Sequence, residues 1–328
     1  IYIEALYETA PFMNGLQLGI GGIAVNEAWD DEDEPWGDNY DADGSLNAIY
    51  ANYTFPGSKT SLLVGRDKFE KPATGNGDSH EGIQLTIGDV PNLKVYAAVI
   101  QKWIDDSGPD EIEPERNLSE SNAEAGDYAY SLLLEWSNDY VSLAPYAAMH
   151  KDVATTYGVE GDLSFPINDS IEVGLDGIYA VHAEDTPASV SSTDDDLSQR
   201  LIHGRAAFNG FEVGVGNFST SDDMLADGAK LFADDVSPLE ELDDLAADSS
   251  TNYVDASYDF GALAIGGVYG DVTVDDTPSD AEAQELDLTL EANVTERISV
   301  EFLYADVSFD DDIEEDYVYY EGGVAISF

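Results

Sequence analysis

Carboxylates dominate the residues that could do chemistry. Between 104 and 126 the chain sets Asp105, Asp106, Asp110, Glu111, Glu113, Glu115, Glu120 and Glu124 against one base, Arg116. A second run, 310–316, reads Asp310-Asp311-Asp312-Ile313-Glu314-Glu315-Asp316, and a third lies at 30–34. Hard oxygen ligands at this density suit a divalent cation, calcium above all, which takes about six to eight oxygens from irregular loops. Asp310, Asp311, Asp312 and Glu314 are the candidate metal ligands. Neither of these two runs has the EF-hand spacing, and a hydrated acidic loop is the plainer account of each. The rare bases Arg66, Lys68, Lys102 and Arg205, with His203, are the candidates to oppose the acids. No cysteine is present, so disulfides and thiolate metal sites are excluded. Nothing resembles a zinc motif or an activated nucleophile. A serine hydrolase would need a Ser beside a His on the same face, whereas His182 and His203 share strand parity with Asp176 and Arg205. No catalytic residue and no required cofactor are expected, and the chain does not read as an enzyme.

What must position these groups is a repeated strand. From Glu285 to Val294 one parity is Leu286, Leu288, Leu290, Ala292, Val294, and the other begins Glu285, Asp287, Thr289, Glu291. After Thr295-Glu296-Arg297, alternation resumes with Ile298, Val300, Phe302, Tyr304 against Ser299 and Glu301. Side chains in a strand change face at every residue, so this is a hairpin with one apolar and one acidic face. In water the apolar face would turn inward. In a transmembrane barrel it turns toward lipid, and the acids line a wet lumen.

Composition narrows the choice. The chain of 328 residues carries 69 acids and 12 bases, a net charge of −57, which excludes nucleic-acid binding by phosphate repulsion. Aromatics at 11% exclude an acidic disordered chain. No apolar run is long enough for a membrane helix, a limit that does not touch strands. Alternating segments recur at 1–8, 16–25, 45–55, 60–69, 80–87, 93–103, 127–136, 140–150, 154–165, 171–182, 201–208, 211–218, 253–260, 262–274, 285–294, 298–305 and 317–328. Tight turns, among them Asn209-Gly210, alternate with long acidic inserts at 29–44, 104–126 and 221–250. Helix-like pieces lie around 224–233 and 238–247. Short turns on one side and long loops on the other mark an outer-membrane barrel. The fold expected is an all-β transmembrane antiparallel barrel of 16–18 strands in one domain, 1–328. Even strand numbers are the rule, so 18 is preferred, with one strand upstream of Ile1. The chain starts in mid-pattern, as if a secretory signal had been removed. A last strand with Val318, Tyr320, Gly322, Val324, Ile326 and Phe328 on one parity resembles the assembly signal of such barrels.

A narrower likeness lies in "LLVGRDKFEKP" and "HEGIQLTIGDVPNLKVYAAVIQKW", between Leu62 and Trp103. These stretches resemble the corresponding strands of the OprD-like porins and the epsilon-proteobacterial major outer membrane porins. The resemblance implies eighteen strands, a constriction narrowed by an inward-folded loop, and often a trimer, so a homotrimer is expected. The chain departs from the OprD-like pattern in lacking bases for a lumenal Arg and Lys ladder.

Function in such a barrel lies in its lumenal charges. Glu172, Asp176, Glu285, Asp287, Glu291 and Glu301 take lumen parity and predict a cation-selective pore for small hydrophilic solutes in the bacterial outer membrane. Its other partners would be outer-membrane lipid and lipopolysaccharide. The insert 104–126 is the candidate for the loop that sets the constriction. The alternatives are a substrate-specific uptake channel, or a sleeve around a partner protein such as a cytochrome.

Overall fold

The computed structural model describes residues 2–26, 42–69, 79–104, 116–117, 128–150, 154–168, 170–184, 197–221, 239, 242, 248–274, 281–295, 298–309 and 316–326. The strands are β1 (Tyr2–Glu8), β2 (Leu16–Asn26), β3 (Ala42–Thr54), β4 (Ser61–Asp67), β5 (Ser79–Val90), β6 (Leu93–Ile104) and the two-residue β7 (Arg116–Asn117). They continue with β8 (Ala129–Ser137), β9 (Val141–His150), β10 (Ala154–Asn168), β11 (Ile171–Glu184), β12 (Leu197–Phe208) and β13 (Phe211–Thr220). The last are β14 (Ser249–Asp259), β15 (Leu263–Val274), β16 (Ala281–Thr295), β17 (Ile298–Phe309) and β18 (Tyr317–Ile326). Each pairs antiparallel with the next, β8 following β6 along the wall while β7 caps the upper end of β6. Leaving out β7, seventeen strands form the wall, within the expected range. With that odd number β1 and β18 run the same way, and no pairing joins them among the described residues. The strand expected upstream of Ile1 lies outside those residues.

A sheet this wide with one apolar face cannot stay flat and open, and it curls into a barrel. Register shows which face is outside. Leu286, Leu288, Leu290 and Val294 of β16 are exposed, as are Phe302 of β17, Val254 of β14, Val215 of β13 and Leu175 of β11, all on one parity. From Leu286 to Val294 the rise is about 27 Å, which a tilt of about 40° reduces to roughly 21 Å, close to an outer-membrane apolar band. Aromatics mark both edges of that band. At the short-turn end Tyr140 stacks on Phe165 with centroids 6.0 Å apart, and Tyr258 meets Phe260 at 4.4 Å. Tyr157, Tyr179 and Tyr269 stand near the other end, exposed on the same outer face.

Turn chemistry fixes the register of the hairpins. Asn209 and Gly210 both take positive φ, 51° and 84°, as the tight β12–β13 turn requires. Gly65 sits at φ +130°, and a Cβ there would come within 2.3 Å of the Ile49 carbonyl oxygen. The kink is one reason the parity of Arg66 cannot be counted from Val64.

Several strands outrun the expected boundaries. β3 begins at Ala42, inside the stretch read as an acidic insert, β12 begins at Leu197 rather than Leu201, and β16 at Ala281. Ile104 belongs to β6 and Ser249 to β14, so the inserts at 104–126 and 221–250 are shorter than expected. The outward positions at several of these ends, Ser198 and Arg200 of β12 and Glu282 and Gln284 of β16, are polar, so the apolar parity no longer marks the strand. The helix-like pieces at 224–233 and 238–247 lie outside the described residues except for Leu239 and Leu242.

Candidate functional site

The lumenal parity carries a chain of linked charges across β10 to β14. Asp162 of β10 stands directly opposite Asp176 of β11. Arg205 of β12 reaches both, donating from Nη2 to Asp162 Oδ2 at 2.8 Å and from Nη1 to Asp176 Oδ1 and Oδ2 at 2.9 and 3.1 Å. His203 continues the chain, with Nδ1 3.1 Å from Asp176 Oδ2 and Nε2 2.8 Å from Asp255 Oδ2 of β14. A neutral imidazole can donate one of these bonds; imidazolium donates both. The Tyr253 ring stacks on His203 at 5.6 Å.

Glycines on the intervening strands let these side chains lie along the wall. A Cβ on Gly174 would sit 2.6 Å from Arg205 Nε, and one on Gly214 would meet His203 Nε2 at 2.0 Å and Asp255 Oδ2 at 2.3 Å. Strand parity in the sequence places Asp176, His203 and Arg205 on the lumenal face. The register adds Asp162 and Asp255, which lie on neighbouring strands at the same level. One guanidinium and one imidazole therefore serve three carboxylates, and the acids outnumber the bases.

A second acidic wall follows on β16 and β17. Glu285 and Asp287 are buried on the lumenal parity, while Glu291 directly faces Glu301 across the pair and both are exposed. Like charges in direct opposition are unfavourable unless water screens them, so this part of the wall is wet. Glu172 is also exposed on the lumenal parity of β11.

Two connections at the long-loop side reach inside the barrel. Past β4, Phe69 is 2% exposed and packs with Ala98, Ile100, Ala129 and Ala148, lumenal residues of β6, β8 and β9, and its ring stacks on His80 at 5.8 Å. Between β13 and β14, Leu239 is 3% exposed and lies over Gly270, where a Cβ would come 2.7 Å from its methyl groups. The Leu242 N–H donates to Glu285 Oε2 at 2.8 Å. Gly270 and Glu285 are register partners, so both contacts mark one lumenal spot. Sequence parity could not find these anchors. The available cue was an apolar residue isolated among charges, as in "RDKFEKP" and "SPLEELDDL".

The remaining candidates are scattered. Arg66 is nearly buried, donating to the Leu46 carbonyl oxygen at 2.8 Å and to Glu81 Oε2 at 3.2 Å. Lys68 is exposed beside Phe69. Lys102 pairs in register with Glu81 and Asn117, beyond the register shift at Glu81/Gly82 that breaks the parity count from Ile100. Asp105, Asp106, Asp110, Glu111, Glu113 and Glu115 lie outside the described residues, as do Asp310, Asp311, Asp312 and Glu314. Arg116 and Asn117 pair with Trp103 and Lys102, so there the 104–126 insert continues the wall. Among the described residues no group of three potential ligands is set to hold a metal ion.

Residues 19–319 match the sequence profile of the family described as Campylobacter major outer membrane protein. Among solved structures, OccAB3 of Acinetobacter baumannii superposes with a TM-score of 0.77 at 14% identity, covering 99% of this chain and 91% of that one. OccK5 (OpdH) of Pseudomonas aeruginosa gives 0.74 at 14% identity, covering 100% and 93%. OccD3 (OpdP) of the same organism gives 0.74 at 12% identity, covering 99% and 85%. At these identities the likeness is one of fold. Curated protein sequences give no match.

Proposed function

The chain belongs to the Campylobacter major outer membrane protein family and lies in the bacterial outer membrane, and we propose that it is a porin that passes small hydrophilic solutes and prefers cations. The observation that carries this proposal is the lumenal charge pattern. Asp162, Asp176, Asp255, Glu285, Asp287, Glu291 and Glu301 line β10 to β17, and Arg205 is the one described arginine or lysine among them on that parity. Low-dielectric walls focus such a field and enrich cations in the bore.

An anion-specific uptake channel is disfavoured, because the Arg205 guanidinium is clasped by Asp162 and Asp176 rather than offered to solute. A sleeve around a partner protein is disfavoured too, since Phe69 and Leu239 occupy the lumenal wall. Reconstituted protein should give ohmic conductance steps in a planar bilayer and let small uncharged sugars swell liposomes. Folded protein that inserts without conducting would overturn the proposal.

Two further parts of the proposal rest on the sequence. The chain assembles as a homotrimer, for which cross-linking of the detergent-purified protein should give a ladder ending at three. Calcium binds at 310–316, a stretch whose far end is tied where Asp316 Oδ1 accepts the Phe309 N–H at 3.0 Å. Chelation with EDTA should then lower the temperature at which the barrel unfolds on a gel. An unchanged midpoint would count against calcium, though not against the pore.

A further inference from the structure

We propose that the outer wall carries a specific site for one phosphate-bearing acylated lipid of the outer leaflet, seated on β9 to β12. The wall is dented there. Gly161 and Gly177 are register partners on the lipid-facing parity, and their missing side chains leave an open depression of about 470 Å³. Leu143, Leu175, Tyr179 and Ile202 form its sides, and its lining is almost wholly apolar.

Arg200 stands at the rim. It pairs in register with Tyr179, one lipid-facing position nearer the long-loop end than Ile202 and Gly177. Arg200 and Arg205 are the only arginines or lysines described between Ala129 and Ile326. Arg205 faces the lumen, so Arg200 is the single described cation on that stretch of outer wall. It is exposed, and among the described residues it makes one long contact, from Nη2 to Asn217 Oδ1 at 3.5 Å. Ser219 stands beside it in register on β13.

The order of these groups along the wall matches one occupant. Long loops mark the outside of such barrels, so the guanidinium lies at headgroup level and the depression below it at acyl level. A forked guanidinium recognises phosphate with charge-assisted bonds, and neighbouring hydroxyls add donors. On a chain of net charge −57, a lone outward arginine above an apolar dent is complementary to a phosphorylated lipid. It is not complementary to a second copy of this acidic wall. The site is on the opposite face from the proposed pore and does not depend on it.

The test is native mass spectrometry of the detergent-purified protein with bisphosphorylated lipid A. The wild type should retain one lipid through activation energies that strip detergent. Arg200→Gln should weaken retention by about tenfold, the scale of one charge-assisted contact. Gly177→Leu should weaken it similarly by filling the dent. A Cβ at Gly177 meets nothing nearer than the Leu201 carbonyl oxygen at 3.5 Å, so that variant should fold. Heat-modifiable migration on a gel checks folding. Dephosphorylated lipid A should bind no better than Arg200→Gln binds the phosphorylated form, and millimolar inorganic phosphate should not displace the lipid. Wild-type retention by either folded variant would overturn the site. So would displacement by inorganic phosphate, which would mean a simple anion site. A Gly177→Leu variant that loses its oligomeric state but keeps its lipid would assign the dent to a subunit contact, and would overturn it as well.

Discussion

Leu239→Asp is expected to raise the single-channel conductance. Leu239 is buried over Gly270 on the lumenal wall, and the Leu242 N–H is held by Glu285, the register partner of Gly270. These contacts hold Leu239 and Leu242 of the β13–β14 connection against the lumenal wall, where they take up conducting cross-section. Burial of one leucine side chain is worth about 1.5–3 kcal/mol. Its loss alone should reduce the docked population by roughly ten- to a hundredfold. The new carboxylate would also lie beside Glu285, adding like-charge repulsion. Gly270→Leu removes the same seat without adding charge, because the new side chain occupies the space Leu239 now fills. Both variants should conduct more than wild type while still preferring cations. Unchanged conductance in both, with folded barrels, would show that this connection does not narrow the bore.

Arg205→Met should increase cation preference and lower thermal stability together. The guanidinium separates Asp162 from Asp176, which face one another across β10 and β11. Removing it leaves a like-charge pair in direct opposition, with a cost of about 1–2 kcal/mol in a half-hydrated setting. In the bore, one uncompensated charge seen from about 7 Å through water is worth about 0.6 kcal/mol, nearly a threefold change in local cation concentration. Adding Asp176→Asn to Arg205→Met should recover stability and return selectivity toward wild type. Greater stability in the single variant, or a turn toward anions, would contradict the cluster described above.

The wall was legible because alternation is enforced where one face meets lipid. β11, β13 and β17 begin at the residues where the apolar–polar pattern begins, and the odd strand number followed from counting such segments. Legibility ended at the membrane edge. Residues 197–200 and 281–284 are strand, yet their outward positions, Ser198, Arg200, Glu282 and Gln284, are polar, so the apolar parity gives no signal there. Parity also placed Asp176, His203, Arg205, Glu285 and Glu301 on the lumenal face. It could not bring Asp162 and Asp255 to the same level, since register between strands is set by turns and by the kinks at Gly65 and near Gly82. Nor could it show Phe69 or Leu239 folding back inside. A single apolar residue within an acidic connection has no periodicity, and its seat is made by a glycine or alanine far away in the chain.

The most direct test of the central claim is the zero-current potential of the wild-type channel in a planar bilayer under a tenfold potassium chloride gradient. The lumenal carboxylates of β10 to β17 predict a potential with the sign of cation flow, shrinking as ionic strength rises and screens the wall. A zero-current potential with the sign of anion flow would contradict the claim.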